Sequence, residues 1–308
     1  MKIFDAHCDV LLKMRFDPAI RFKDSSSLHT NLVKLKKSNA FIQVFAIYIP
    51  EQVPYDQRFL TALEMADLFH SKILGRHPEM KAIQSRKDIE GLKEGEIGAV
   101  LALEGCDAIG SDPVKLKTLL RLGVSSVGLT WNYANQVADG ILESRGAGLS
   151  AFGVDTVNML NEARVWTDVS HLSVNGFWDV MDAARYPIAS HSNAKSLCGH
   201  VRNLEDDQIE ALIRKDGMIG ITFVPDFLND DADSATIDDV IRHLDHVCSL
   251  GGADNVGFGS DFDGIGRTPL HLDDYGNYSN LIERLINYYS NDQVDKFTHN
   301  NFINHFPR

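Results

Sequence analysis

Ile97-Gly98-Ala99-Val100-Leu101-Ala102-Leu103-Glu104-Gly105 decides the fold. An uncharged run without in/out alternation reads as a parallel strand covered on both faces, and here an acidic residue stops it. A helical pattern follows. Asp112-Pro113 opens it, Val114, Leu116, Leu119, Leu120 and Leu122 recur at helical spacing, and Gly123 ends it before the next strand-like run, Ser125–Thr130. The same rhythm continues outward in both directions. Further strand candidates are Lys2–His7, Phe41–Ile49, Val165–Ser170, Pro187–Ser190, Gly217–Phe223 and Asn255–Ser260. Between them Leu60, Leu63, Met65, Leu68, Phe69 and Ile73 form one helical pattern. Ile237, Val240, Ile241, Leu244 and Val247 form another, closed by Leu250-Gly251-Gly252.

Eight strands alternating with helices over 308 residues predict an α/β fold, a closed (βα)8 TIM-type barrel. A doubly wound open sheet shares the alternation and is the alternative. No linker, repeat or low-complexity segment divides the chain, so a single catalytic barrel domain over residues 1–308 is expected. Ser25-Ser26-Ser27 and Asp230-Asp231-Ala232-Asp233 read as surface loops.

Thirty basic against 43 acidic side chains give a net charge of −13. That charge repels phosphate backbones and anionic lipid, which argues against nucleic acid and membrane partners. No apolar run is long enough to span a bilayer. The start reaches Asp5 at once without a secretory core, and the end is polar, so a cytoplasmic protein is expected. Four scattered cysteines do not make a disulfide framework.

What terminates the strands is the functional signal. The ends carry His7-Cys8-Asp9, Glu104-Gly105, Asp168-Val169-Ser170-His171, Ser190-His191-Ser192 and Ser260-Asp261-Phe262-Asp263-Gly264. In a parallel barrel all strand C-termini open onto one face, where such enzymes place their active sites. On an extended strand His7 and Asp9 point the same way, and Cys8 the other way, toward the helices. Imidazoles mixed with carboxylates suit Zn²⁺ or a similar divalent ion. Five or six such groups exceed what one tetrahedral ion needs, which favours two metals.

These motifs, with Val201-Arg202-Asn203 and Gly257-Phe258-Gly259, resemble the membrane (renal) dipeptidase family of zinc peptidases, in family order from residue 3 onward. The resemblance implies a metal-dependent hydrolase barrel and a bacterial cytoplasmic member of the family. It assigns His7 and Asp9 to one zinc, His171 and His191 to the other, and Glu104 as the carboxylate bridging both. It implies hydrolysis of small dipeptides by a metal-bridging hydroxide, tolerance of a D-residue at the C-terminal position, and a homodimer. Asp261 is expected to move the proton from water to the leaving amine; its alternative is to cap the following turn, for which Asp263 is better placed. Arg202, a bidentate carboxylate binder, suits the free C-terminus of a dipeptide. Trp131 stands where mammalian members carry a His; an indole N–H donates but cannot be charged, so substrate handling differs there. Phe223-Val224-Pro225-Asp226-Phe227 also departs from the family's tyrosine-containing version.

Other features carry less. His243 and His246 share a helix face on the wrong side of the barrel and read as packing or surface residues. Lys34-Leu35-Lys36-Lys37 is a solvated helix face, Gly257-Phe258-Gly259 is no phosphate cradle, and Cys8 and Cys106 read as buried thiols. Two other readings stay open: hydrolysis of another amide, such as a cyclic amide or N-acyl amino acid, and a metal-dependent binding protein without turnover.

Overall fold

The computed structural model describes residues 1–307. Its strands are β1 (Ile3–Asp5), β2 (Ala40–Tyr48), β3 (Met80–Ala82), β4 (Ile97–Glu104), β5 (Val124–Gly128), β6 (Trp166–Asp168), β7 (Pro187–Ala189), β8 (Met218–Ile221) and β9 (Val256–Phe258). Eight of them pair in parallel around a ring, β1-β2-β4-β5-β6-β7-β8-β9 and back to β1, which is the expected closed barrel. The open-sheet alternative is thereby removed. The β2–β4 ladder, from Ile42 opposite Gly98 to Tyr48 opposite Glu104, is the long seam.

All eight expected strands are present, most of them shorter than the apolar runs. β3 is an addition that the sequence reading lacks. It pairs only with Ile97, Gly98 and Ala99 of β4, on the edge that β5 occupies further along from Leu101. Three residues of Met-Lys-Ala carry too little pattern to be read as a strand.

The helix signals act as written. The Asp112 carboxylate accepts from the Val114 amide at 2.8 Å ahead of Pro113, and Gly123 leaves the helix Pro113–Arg121 with φ of 103°. Helix Ile237–Ser249 is opened by a Thr236/Asp239 capping box. Two of the apolar residues read into helical faces are not core: Leu60 is 58% and Val114 62% exposed, both in the first turns of their helices.

Two cores result from the pleat. Ala99, Leu101 and Leu103 of β4 face the helix layer, while Val100 and Ala102 face the barrel interior. Near the strand starts that interior is closed by aromatic rings. Phe4 stacks on Phe302 with centroids 4.8 Å apart, and Trp166 meets Phe306 edge-on at 4.8 Å.

Candidate metal centre at the strand ends

The inward parity of Val100 and Ala102 continues to Glu104, which therefore points into the barrel mouth. Its two oxygens face different partners. Oε1 lies 3.0 Å from His171 Nε2 and 3.7 Å from His191 Nε2, whereas Oε2 lies 3.5 Å from His7 Nε2. Asp9 Oδ2 is 3.4 Å and Asp261 Oδ1 3.9 Å from that same His7 nitrogen. His7, Glu104 and His191 form one group able to hold a cation, and His7, Asp9 and Asp261 a second. All six expected strand-end residues thus meet in one place. β1 ends at Asp5, so His7 and Asp9 are not on a regular strand; a single parallel bridge between Cys8 and Phe262 keeps the alternation going, and Cys8 is buried on the helix side as expected.

The tautomers test whether a cation fits. Ser190 Oγ donates to Asp168, so it accepts from His191 Nδ1 at 2.8 Å. His171 Nδ1 donates to Asn132 Oδ1, also at 2.8 Å. Both Nε2 atoms are then bare lone pairs, and they face each other at 2.9 Å. His7 Nε2 is buried with no hydrogen-bond partner. The two bare Nε2 atoms of His171 and His191, each oriented by a hydrogen bond at the far ring nitrogen, stand with His7 Nε2 around the Glu104 carboxylate, a donor set that a divalent metal takes.

The electrostatics agree. Burial raises the pKa of Asp261 well above the carboxylate range, and Asp9 and Glu104 add to this against the pull of His7. For Glu104 burial is outweighed by His7 and His171, which hold it well below that range. Burial, then Arg202, pushes His171 down to about 3, and burial with His7 and His171 pushes His191 far down. Against burial, Glu104 and Asp9 hold His7 well above the usual imidazole range, so that in the absence of a metal a proton on His7 is the charge that offsets these carboxylates.

Two buried aspartates to which the sequence reading gives no role of their own set this geometry. Asp168 Oδ1 accepts from the Ser170 and Ser190 amides, both at 3.0 Å, which ties the segments carrying His171 and His191 together. Asp5 Oδ1 does the same for the other corner, accepting from His7 N at 3.2 Å and Ser260 N at 2.9 Å. Their signal was a buried-strand Asp two residues before the polar stop. His171 (φ 69°) and Asp261 (φ 62°) both adopt the left-handed conformation, uncommon for residues with a side chain and concentrated at functional sites. A Cβ at Gly264 would collide with Asp9 Oδ2 and Asp261 Oδ1, so only glycine lets the chain pass this close.

Above the cluster opens a cavity of about 370 Å³ whose walls include Tyr48, Trp131, Leu142, Arg202, Phe227 and Ile265. Trp131 stands at the mouth, its ring 5.8 Å from His171 and 5.1 Å from Tyr48. Arg202 is buried, and its Nε and Nη2 have no partner. Burial draws its pKa down to about 10, with Asp261, Glu104 and Asp168 opposing. Beside it His200 stacks on Phe227 at 4.3 Å and accepts the Arg202 amide on Nδ1. Tyr48 was not singled out from the sequence, although it continues the inward parity of Ile42 and Val44. Asn132 and His200 lie on loops, and Phe227 in the single-turn helix Pro225–Leu228, too short for periodicity to apply.

The remaining candidates fall elsewhere. Asp263 accepts from the His29 and Thr30 amides and from Lys13 Nζ, so it anchors a loop and leaves the site to Asp261. His243 is buried with both nitrogens used, Nδ1 by Ala194 N and Nε2 by the Leu228 carbonyl. His246 pairs with Asp206 at 2.8 Å. Lys34 and Lys36 pair with Asp274 and Glu79 while Leu35 is buried. Cys106 is buried and donates to the Gly128 carbonyl. Among the described residues no helix is long and apolar enough to cross a membrane.

A parallel barrel with histidines and carboxylates converging on its C-terminal face defines a metal-dependent hydrolase. The model of the membrane dipeptidase family, peptidase family M19, matches residues 1–307, and the chain belongs to that family of metallopeptidases. An uncharacterized dipeptidase of Schizosaccharomyces pombe is 30% identical over 309 residues, covering 92% of this chain and 74% of its own. A metallo peptidase from Rhodobacter sphaeroides, solved with a phosphinate mimic of the dipeptide L-Ala-D-Ala, superposes with a TM-score of 0.94 at 26% identity, covering 100% of this chain and 99% of its own. A second solved dipeptidase of family M19 gives 0.94 at 28% identity, covering 100% and 98%.

Proposed function

We propose that this dipeptidase-family chain is a two-zinc enzyme that hydrolyses small dipeptides within a single barrel domain. The observation that carries the reading is the division of Glu104, with Oε1 toward His171 and His191 and Oε2 toward His7. A carboxylate can span two ions, which an imidazole cannot. In this reading His7 and Asp9 hold one Zn²⁺, His171 and His191 hold the other, and Glu104 bridges them. The ions, when bound, supply Lewis acidity that polarises a peptide carbonyl and lowers the pKa of water.

The chain's own residues do the rest. Asp261, the most open of the cluster at 17% side-chain exposure, accepts the proton of the attacking water at its carboxylate and returns it to the leaving amine. Arg202 receives the dipeptide's C-terminal carboxylate on its free Nε and Nη2. Trp131 bounds the cavity and donates at most one hydrogen bond. Tolerance of a C-terminal D-residue rests on likeness to the Rhodobacter sphaeroides protein and its L-Ala-D-Ala mimic. A homodimer rests on the family resemblance. A cytoplasmic location is supported by four free cysteines, which suit a reducing compartment.

The test is metal analysis joined to a dipeptide screen. Two zinc ions per chain are expected after reconstitution, with activity lost on chelation and restored by zinc. Stoichiometry that stays at one would sink the binuclear reading. Metal binding without turnover of any dipeptide, L,L or L,D, would leave a binding protein or another amide as substrate.

A further inference from the structure

A second cavity, of about 840 Å³, lies on the outside of the barrel between helix Val10–Phe16, helix Arg58–Leu68 and residues 18–23. Its size is that of a small-molecule site. The floor is apolar, with Met14 and Phe22 buried, Ile20, Leu63 and Leu68 half-buried, and Leu60 exposed at one side. Five cations line it, Arg15, Arg21, Lys23, Lys72 and Arg76, against the two carboxylates Glu64 and Asp67. In a chain of net charge −13 this is a local reversal of sign.

The cations are not used up internally. Arg15 is held by Glu64 at 2.9 Å and Arg21 by Asp24 at 3.0 Å. Among the described residues Lys23, Lys72 and Arg76 have no ion-pair partner. The His77 ring, 5.6 Å from Phe22, is kept below its usual pKa by burial, with Lys23, Lys36 and Arg76 adding to this and Glu79 opposing. The positive field therefore reaches the cavity wall.

We propose that this groove binds a small anionic amphiphile, a carboxylate on an aliphatic chain, with the chain on the Met14–Phe22–Leu63 floor and the carboxylate among Lys23, Lys72 and Arg76. A neutral apolar ligand would leave those cations unanswered, and a two-fold contact with a second copy would set them against themselves. The proposal is independent of the dipeptidase reading, because its readout is binding.

Titration calorimetry of the zinc-loaded full chain with monomeric decanoate tests it. Saturable binding at one site is expected. The double variant Lys72→Glu/Arg76→Glu, or Leu60→Asp at an exposed floor position, weakens it about tenfold. Arg202→Ala leaves it unchanged, which separates the groove from the carboxylate binder of the catalytic mouth, and decylammonium does not bind. Absence of saturable decanoate binding overturns the proposal. So does equal affinity for decylammonium, or loss in Arg202→Ala alone. Binding to anionic vesicles but not to monomeric decanoate, or dissociation of a dimer by Leu60→Asp with decanoate inert, overturns it as well.

Discussion

The two mouths of the barrel are built by the same strands and could hardly differ more. At the strand starts four rings fill the interior, Phe4 stacked on Phe302 and Trp166 edge-on to Phe302 and Phe306. At the strand ends His7, Asp9, Glu104, His171, His191 and Asp261 crowd together with lone pairs facing one another. Along β4 the change takes one pleat step, from Ala102 to Glu104. The aromatic end is satisfied by dispersion and water exclusion alone. The polar end is satisfied only if a cation is added, since buried like charges raise one another's energy. One end therefore stabilises the fold and the other gives up stability to the site.

Substitutions at each mouth should separate these roles. The largest effect is expected from Glu104→Gln: a neutral amide bridges cations poorly, so zinc content and kcat fall together, kcat by about 10³ or more. Full zinc occupancy in that variant would remove Glu104 from the bridging role. Asp261→Asn should keep the metal and lose about 10²- to 10⁴-fold in turnover, the range for a general acid/base. Near-normal kcat on a good dipeptide would make Asp261 a turn residue. At the opposite mouth Phe302→Ala should cost about 3–5 kcal/mol in denaturant unfolding. Its remaining folded enzyme should turn over normally in the cold; slow turnover of stably folded protein would erase the division between the two ends.

Smaller effects sharpen the polar mouth. Arg202→Ala should weaken substrates with a free C-terminal carboxylate by about 1.5–3 kcal/mol, roughly 10- to 150-fold in kcat/KM. Amidated analogues should be little affected, and equal losses on both would rule out carboxylate recognition. Trp131→His should keep the metal and alter dipeptide preference or kcat by about two- to tenfold across pH, with lost ring packing against Tyr48 as the competing effect. Indistinguishable kinetic profiles would show that the indole has no part in substrate handling.

Much of the site was legible because each of its polar residues stops an apolar run. His7, Glu104, His171, His191 and Asp261 are polar interruptions at the point where a parallel strand must leave its sheet. Tyr48, Asp5 and Asp168 were harder. The first looks like one more strand residue, and the two aspartates act through backbone amides of neighbouring segments. Their partners depend on which strands are adjacent, a fact absent from local pattern.

The sequence by itself determined the strand–helix alternation, the order of the metal-type residues, the acidic net charge and the departure at Trp131. Those are properties of a chain read locally, where apolar run length and polar stops carry the information. Only the tertiary structure decided that β2 pairs with β4 while β3 fills half an edge, and that Phe302 and Phe306 close the far mouth. It also decided that Asp263, expected in a turn role, anchors the distant His29–Thr30 segment through its backbone amides. The reason is closure. Both faces of these strands are apolar, so the inward face is not marked in the sequence, and it is set only when the ring of strands is complete.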